Sequence, residues 1–155
     1  MRLKIIAVGR LKSGPERELV ETYRTRLENA LAGLGPLSII EIDERKDTKH
    51  IARALADAME ALPKASRRIA LDETGKSLTT KGFAELLTAW RDAGVPEAAF
   101  IIGGADGLSD GARKSADLVL SLGKLTWPHR LARAMIAEQL YRAASLSAGH
   151  PYHRE

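Results

Sequence analysis

Glycines and polar residues follow four apolar runs of this chain, and these segments concentrate the residues able to do chemistry. The segments are residues 9–14, 72–76, 103–108 and 123–129. If the apolar runs are strands of an open α/β sheet, all four lie beyond the carboxyl ends of strands, where such sheets bind ligands. Gly103 and Gly104 would let a ligand approach the backbone closely, and the alternative is that they only turn the chain.

The glycine motifs that bind nucleotide phosphates are absent. Residues 9–14 have the two-glycine spacing of a P-loop, but Pro15 and Glu16 follow where that loop needs Lys and Ser or Thr. Residues 103–107 do not fit GxGxxG. The sequence therefore predicts neither a P-loop nor a dinucleotide site.

The segment before the last helical pattern is more informative. Pro128 restricts the backbone of Trp127 and removes one hydrogen-bond donor, so we expect a stiff loop that becomes helical near His129. The amides and carbonyls of such a loop can hold a planar ligand by hydrogen bonds. The alternative is a simple helix start with a packed tryptophan.

The four histidines do not fall at the spacing of metal ligands. His150 and His153 are three residues apart with no third ligand near them, while His50 and His129 are distant in sequence. This pattern predicts no metal site. His153 stands beside Arg154, so the pair could bind a phosphate or position a proton acceptor, and the alternative is a frayed terminus.

Arginines recur in the last helical pattern. Arg130, Arg133 and Arg142 could contact phosphates, and a charged outer face is the alternative. Glu138 lies four residues before Arg142, which is the favourable order for an ion pair on a helix.

The composition is that of one globular domain. The chain has 155 residues, 45% hydrophobic and 28% charged, and no apolar run approaches the 18 or so residues of a membrane span. The absence of cysteine excludes disulfides and thiolate metal sites and favours a cytoplasmic location. A formal charge of +4 suits a phosphate-rich partner, although a merely solvated surface explains it equally well.

Apolar runs and helical periodicities alternate along the chain. The runs predict strands at residues 3–8, 37–42, 68–72, 98–102 and 118–122. The periodicities predict helices at residues 15–33, 47–62, 79–90, 109–116 and 129–148. Residues 73–76 are predicted to form a polar turn. Such alternation predicts a single α/β domain over residues 1–155, with a mostly parallel sheet flanked by helices.

Four ordered motifs give the chain a family resemblance. They are FIIGGADG from Phe100, SLGKLTWPHRLAR from Ser121, EQLYRA from Glu138 and GHPYHRE from Gly149. With these motifs, the chain resembles the RlmH-type methyltransferases of large-subunit ribosomal RNA, which belong to the SPOUT class. The resemblance covers essentially the whole chain. It implies a SPOUT fold with a C-terminal trefoil knot within about residues 70–155, an exception to the rule against knots.

The resemblance implies S-adenosylmethionine as the methyl donor, held bent among the knot loops. The implied cofactor-binding residues are Leu71, Gly103, Gly104, Gly123, Lys124, Leu125, Thr126, Trp127 and Pro128. The family commonly has serine at the position of Gly123, a small or variable residue at that of Lys124 and methionine at that of Leu125. Backbone contacts to the cofactor are expected to survive these differences, whereas a contact from the serine side chain is lost.

The resemblance also implies the reaction and its partners. The expected substrate is N3 of a pseudouridine in the helix 69 loop of 23S rRNA, within the assembled ribosome. A homodimer is expected, with the site at the subunit interface and completed by the tail of the partner. The residues expected to act at the substrate are His129, Arg142, Tyr152, His153 and Arg154.

The sequence leaves two questions open. The proton on N3 must be lost, and His129, His153 or Asp72 could accept it. Two other functions also fit: a non-catalytic RNA- or ribosome-binding protein on the same scaffold, and a methyltransferase for another RNA.

Overall fold

Five strands and five helices alternate through residues 1–151, the part of the chain that this computed structural model describes. They are β1 (Arg2–Val8), α1 (Pro15–Arg26), β2 (Leu37–Ile42), α2 (Thr48–Glu60), β3 (Arg67–Ser77), α3 (Thr80–Asp92), β4 (Glu97–Ile102), α4 (Asp110–Lys114), β5 (Leu118–Ser121) and α5 (His129–Ser147). The predicted alternation and fold class are confirmed. The closing helix begins at His129, directly after Pro128, as its sequence predicts.

All the strands pair in parallel, in the order β2-β1-β4-β3-β5. The central strand β4 is buried along its whole length because helices cover both faces of the sheet. Phe100 points to the face covered by α1, α3 and α5, where it packs edge-on against Phe83 with ring centroids 6.0 Å apart. Ile101 points to the opposite face, where it packs with Leu55 and Met59 of α2.

The first helix is shorter than its apolar periodicity predicts. It ends at Arg26 rather than near Gly33, and the following residues form tight turns with positive φ at Ala30 and Ala32. Leu27 and Leu31, which continue the helical spacing of Tyr23 and so extend the predicted helix, still pack in the core. The helical spacing of these leucines correctly indicates that they face the core. Turns, rather than a longer helix, bring them there.

The polar turn predicted at residues 73–76 is also wrong, because β3 continues through it to Ser77. Leu71 and Lys76 both pair with Leu120 of β5, so residues 72–75 form a bulge between two stretches of strand. A side chain on Gly75 would place its Cβ 2.7 Å from the carbonyl carbon of Leu120. The polar residues therefore mark a bulge that leaves the sheet and returns to it.

Arg133 ties α5 to the ends of the first two strands. It is fully buried and donates hydrogen bonds from Nη2 to the carbonyl oxygens of Val8 (3.4 Å) and Gly9 (2.8 Å). Burial lowers the pKa of Arg133, while the nearby Glu41 carboxylate opposes that shift. The expectation that Arg133 contacts phosphates is therefore wrong, because its guanidinium is enclosed by protein.

The trefoil knot stays a prediction of the family resemblance.

Among residues 1–151, no helix combines the length and apolarity needed to cross a membrane.

Candidate active site

A cleft of about 710 Å³ opens at the carboxyl ends of three neighbouring strands, β4, β3 and β5. Its walls come from the bulge of β3, from the loops after β4 and β5, and from the first turn of α5. Eight of the nine residues expected to bind the cofactor line it, namely Leu71, Gly103, Gly104, Gly123, Leu125, Thr126, Trp127 and Pro128. Lys124 is exposed outside the lining. The fold thus gathers residues that are up to 57 positions apart in the sequence.

The glycines around this cleft have different structural roles. An added Cβ on Gly103 would lie 2.3 Å from the carbonyl carbon of Gly107, so Gly103 is needed for the turn itself. Gly107 and Gly123 have φ values of +74° and +126°, and an added Cβ on either would meet nothing within 4 Å. These two positions therefore expose backbone to open space inside the cleft. A serine at Gly123, as is common in the family, would be strained in this conformation.

Ser121 fixes the loop that follows β5. Its hydroxyl donates to the carbonyl oxygen of Gly123 at 2.7 Å and accepts from the amide of Gly123 at 3.2 Å. Across the cleft, Thr126 donates from its hydroxyl to Glu73 on the bulge at 3.0 Å. The two opposite walls are therefore joined by a side-chain hydrogen bond.

Asp72 lies at the base of the bulge and is held as an ion-pair partner. Its carboxylate accepts hydrogen bonds from the Thr74 hydroxyl (2.6 Å), the Thr74 amide (3.0 Å) and Nη1 of Arg113 (2.9 Å). Burial would raise the pKa of Asp72, but these hydrogen bonds outweigh it and leave that pKa below its usual value. Hydrogen bonds to Asp72 and then to Asp110 raise the pKa of Arg113 in turn.

His129 lines the cleft at the start of α5 and faces a carboxylate that sequence reasoning missed. Its Nε2 lies 3.6 Å from Oε2 of Glu44, and this nitrogen is buried without a hydrogen-bond partner. The other oxygen of Glu44 accepts a hydrogen bond from Nη2 of Arg130 at 3.2 Å. Glu44 follows β2, which is separated from β3 by β1 and β4, so only the strand order brings it here.

Among the other residues expected at the substrate, Arg142 does not line this cleft. Arg142 lies 13 residues beyond His129 on the same helix, which is about 20 Å along its axis. It donates to Oε1 of Glu138 from Nε (2.8 Å) and Nη2 (2.5 Å), which confirms the predicted ion pair. Tyr152, His153 and Arg154 lie outside the described residues. Within residues 1–151, no group of three or more His, Cys, Asp or Glu side chains is placed to hold a metal ion.

A parallel α/β sheet with a glycine-lined cleft beyond its strand ends is the architecture of an enzyme that binds a small molecule there. Comparison with known proteins identifies the family of enzymes to which the chain belongs. The family model described as "Predicted SPOUT methyltransferase" matches residues 1–153, and the chain belongs to this family. It is therefore a methyltransferase, as its resemblance implies.

Curated relatives share almost the full length of the chain. Ribosomal RNA large subunit methyltransferase H of Rhodopseudomonas palustris (strain BisA53) is 48% identical, and that of Nitrobacter winogradskyi is 50% identical; both alignments cover 99% of each protein. Among solved structures, a probable methyltransferase from Bordetella pertussis has a TM-score of 0.57 at 16% identity and covers 92% of this chain and 96% of its own. A probable methylase family protein from Haemophilus influenzae has a TM-score of 0.56 at 12% identity, covering 99% of this chain and 70% of its own. These two structures support the fold alone.

Proposed function

We propose that this chain methylates N3 of a pseudouridine in the helix 69 loop of 23S rRNA, within the assembled ribosome. The observation that carries the proposal is the 48–50% identity, over 99% of both chains, to proteins named ribosomal RNA large subunit methyltransferase H. The family resemblance of the sequence motifs supplies the nucleotide and the ribosomal context. The proposed ribosomal substrate supports a cytoplasmic location for the enzyme.

We propose that S-adenosylmethionine binds in the cleft of β3, β4 and β5. The cleft volume of about 710 Å³ falls in the usual range for small-molecule sites, about 300–1,000 Å³. Open space at Gly107 and Gly123 lets a ligand reach the backbone amides and carbonyls, which supports binding that depends little on side chains. Leu122 and Pro128 add apolar walls suited to a planar ring.

When bound, this cofactor supplies an electrophilic methyl group on a sulfonium. The contribution of the chain is to align N3 with that methyl group and to exclude water, which makes positioning the main source of rate enhancement. Thr126 and Glu73 support this role because their hydrogen bond holds the two walls together. Trp127 and Leu125 stand at the exposed rim, where a base would enter.

His129 is the proposed acceptor of the N3 proton. The alternative within the cleft, Asp72, is a weak base because Thr74 and Arg113 stabilise its carboxylate. His129 instead lines the cleft with the Glu44 carboxylate behind it, a partner suited to an imidazole that gains a proton. His153 of the tail is the second candidate from the sequence.

A homodimer is proposed to complete the site. His129 and Arg142 stand about 20 Å apart on one rigid helix, so the methylated nucleotide meets both only if they come from different copies. A second, mostly apolar cleft of about 480 Å³ between α1, α3 and α5 supports a self-association face. The exposed Leu19 borders it, together with Leu131 and Met135.

The deciding experiment measures methyl incorporation from labelled S-adenosylmethionine into ribosomes that lack this modification, with free 23S rRNA in parallel. Label at N3 of the helix 69 pseudouridine, on ribosomes and not on free RNA, is the expected result. Cofactor binding without label on either would redirect the search to another RNA. Neither binding nor label would leave a binding protein on a methyltransferase scaffold.

A further inference from the structure

Two loops that follow neighbouring strands meet the start of α5 beside the cleft. Residues 9–14 follow β1 and residues 43–47 follow β2, and these strands pair in parallel. An added Cβ on Gly9 would lie 2.7 Å from Oε2 of Glu44 and 3.3 Å from Nε2 of His129. The loops and the first residue of α5 therefore form one continuous surface.

This surface carries most of the net charge of the chain. Its cations, with those of the adjoining helix starts, are what we call the basic edge: Arg10, Lys12, Arg45 and Lys46 of the loops, Lys49 at the start of α2 and Arg130 at the start of α5. Its carboxylates are Asp43, Glu44 and Asp47. Six cations against three carboxylates give a net +3, out of a formal +4 for all 155 residues. The rest of the chain is thus almost neutral.

The three carboxylates are engaged locally. Asp43 accepts hydrogen bonds from Nε and Nη2 of Arg45 at 2.9 and 2.7 Å. Hydrogen bonds from Arg45, with a smaller effect of Arg10, hold the pKa of Asp43 well below its usual range. Asp47 caps α2 by accepting from the amide of His50 at 3.0 Å. Glu44 is bound to Arg130.

The lysines of the basic edge are free to meet a partner. Lys12, Lys46 and Lys49 are exposed, and their ammonium groups form no ion pair with residues of the described chain. A ligand that approaches this surface therefore meets unpaired cations rather than their counterions. His129 adjoins the surface and lines the cleft, so a molecule that enters the cleft can extend onto this surface.

We propose that the basic edge holds backbone phosphates of the RNA strand that flanks the methylated nucleotide. This inference rests on the proposed function, since it takes the substrate in the cleft to be RNA. Lysine contacts to phosphates position a nucleic acid without reading its sequence, and each contact releases condensed counterions. The basic edge therefore sets affinity for the ribosomal substrate, and the cleft sets the chemistry.

The test is a double charge reversal, Lys12→Glu with Lys46→Glu, in the full chain. The matched control is Lys64→Glu with Lys114→Glu, which changes the net charge equally. Both control lysines are exposed. Lys64 precedes β3 and Lys114 precedes β5, so they lie at the amino ends of strands, whereas the loops of the basic edge follow the carboxyl ends. Steady-state methylation of unmodified ribosomes gives kcat and KM for each variant across a salt series, and calorimetry gives the affinity for S-adenosylmethionine.

The expected result is a KM for ribosomes raised at least tenfold near 0.15 M salt, with unchanged cofactor affinity. The slope of log affinity against log salt should fall by about 1 to 2, as two phosphate contacts are lost. The control pair should stay within about twofold of wild type. An equal loss in both pairs would show general charge repulsion and would overturn the inference.

Three further outcomes separate the inference from the function on which it rests. Methylation by the wild type with an unchanged KM in the Lys12→Glu, Lys46→Glu variant overturns the basic edge alone. Weaker binding to ribosomes, with unaltered binding to a protein-free 23S rRNA fragment, assigns the surface to an acidic ribosomal protein and also overturns it. No methylation of ribosomes by the wild type overturns the proposed function and the inference together.

Discussion

Arg133 of α5 and Glu41 of β2 form an ion pair, with Nη1 of the arginine 2.7 Å from Oε1 of the carboxylate. The arginine side chain is only 1% exposed, whereas that of Glu41 is 32% exposed. Glu41 also accepts a hydrogen bond from the amide of Leu11 at 2.9 Å. One carboxylate thus connects the edge strand, the loop after β1 and the helix that begins at the active site.

Replacing Arg133 by methionine should lower the free energy of unfolding by about 2 to 3 kcal/mol. The change removes the guanidinium donor from the carbonyls of Val8 and Gly9 and from Glu41, which keeps the amide of Leu11. That remaining bond and the partial exposure of Glu41 reduce the loss below that of a fully buried pair. Denaturant titration measures it. The control Arg53→Met removes an exposed pair with Asp57 at 4.0 Å and should change stability by less than about 0.5 kcal/mol. Equal effects of the two substitutions would contradict a structural role for Arg133.

Asp72→Asn should reduce stability by about 1 to 2 kcal/mol at pH 7, since Asn accepts weaker hydrogen bonds from Thr74 and Arg113. The folded pKa of Asp72 lies below its unfolded value of about 3.9, so its contribution is present above that pH. It is lost as the pH falls below about 3.9 through the lower folded pKa. Unfolding free energies of wild type and variant should therefore converge in acid. A difference that stays constant with pH would refute the ionic role, and Asp57→Asn provides an exposed control.

Ala132→Leu should weaken binding of S-adenosylmethionine at least tenfold. Ala132 lies in the first turns of α5 and lines the cleft, so the longer side chain fills part of the space proposed for the cofactor, while leucine keeps a high helix propensity. Calorimetry measures the affinity, and a thermal unfolding curve checks the fold. Ala56→Leu on the exposed side of α2 makes the same change away from the cleft and should bind normally. Normal affinity in Ala132→Leu would place the cofactor elsewhere.

Gly104→Val, which would test another of the residues expected to bind the cofactor, is a poorer probe than Ala132→Leu. An added Cβ on Gly104 already lies 3.1 Å from Cγ1 of Val8, which is buried in the core. A valine there should therefore disturb packing as well as the cleft. Lost binding in that variant would not separate the two causes.

Removal of residues 152–155 should abolish methylation while S-adenosylmethionine binding stays nearly intact. The removed residues include Tyr152, His153 and Arg154, which the family resemblance places at the substrate. Methyl transfer to unmodified ribosomes and calorimetry of the same preparation give the two readouts. Full activity after the truncation would eliminate the tail from the mechanism.

The alternation of strands and helices was predictable because each apolar run had to be buried by its neighbours. The cleft was predictable in outline, since parallel strands bring their following loops to one edge. The position of Glu44 beside His129 was not, because it depends on the order β2-β1-β4. Arg133 was assigned to the surface because a charged residue in an amphipathic pattern gives no sign of a buried carboxylate and two carbonyls to receive it.

Because of the bulge in β3, the pairing of the sheet does not depend on the residues that line the cleft there. Leu120 pairs with Leu71 before the bulge and with Lys76 after it, so the sheet keeps its register whatever occupies the excursion between them. Substitutions at residues 72–74 are therefore expected to change the lining of the cleft without changing the pairing of β3 with β5. Gly75 is the exception, since any side chain there would clash with the backbone of β5.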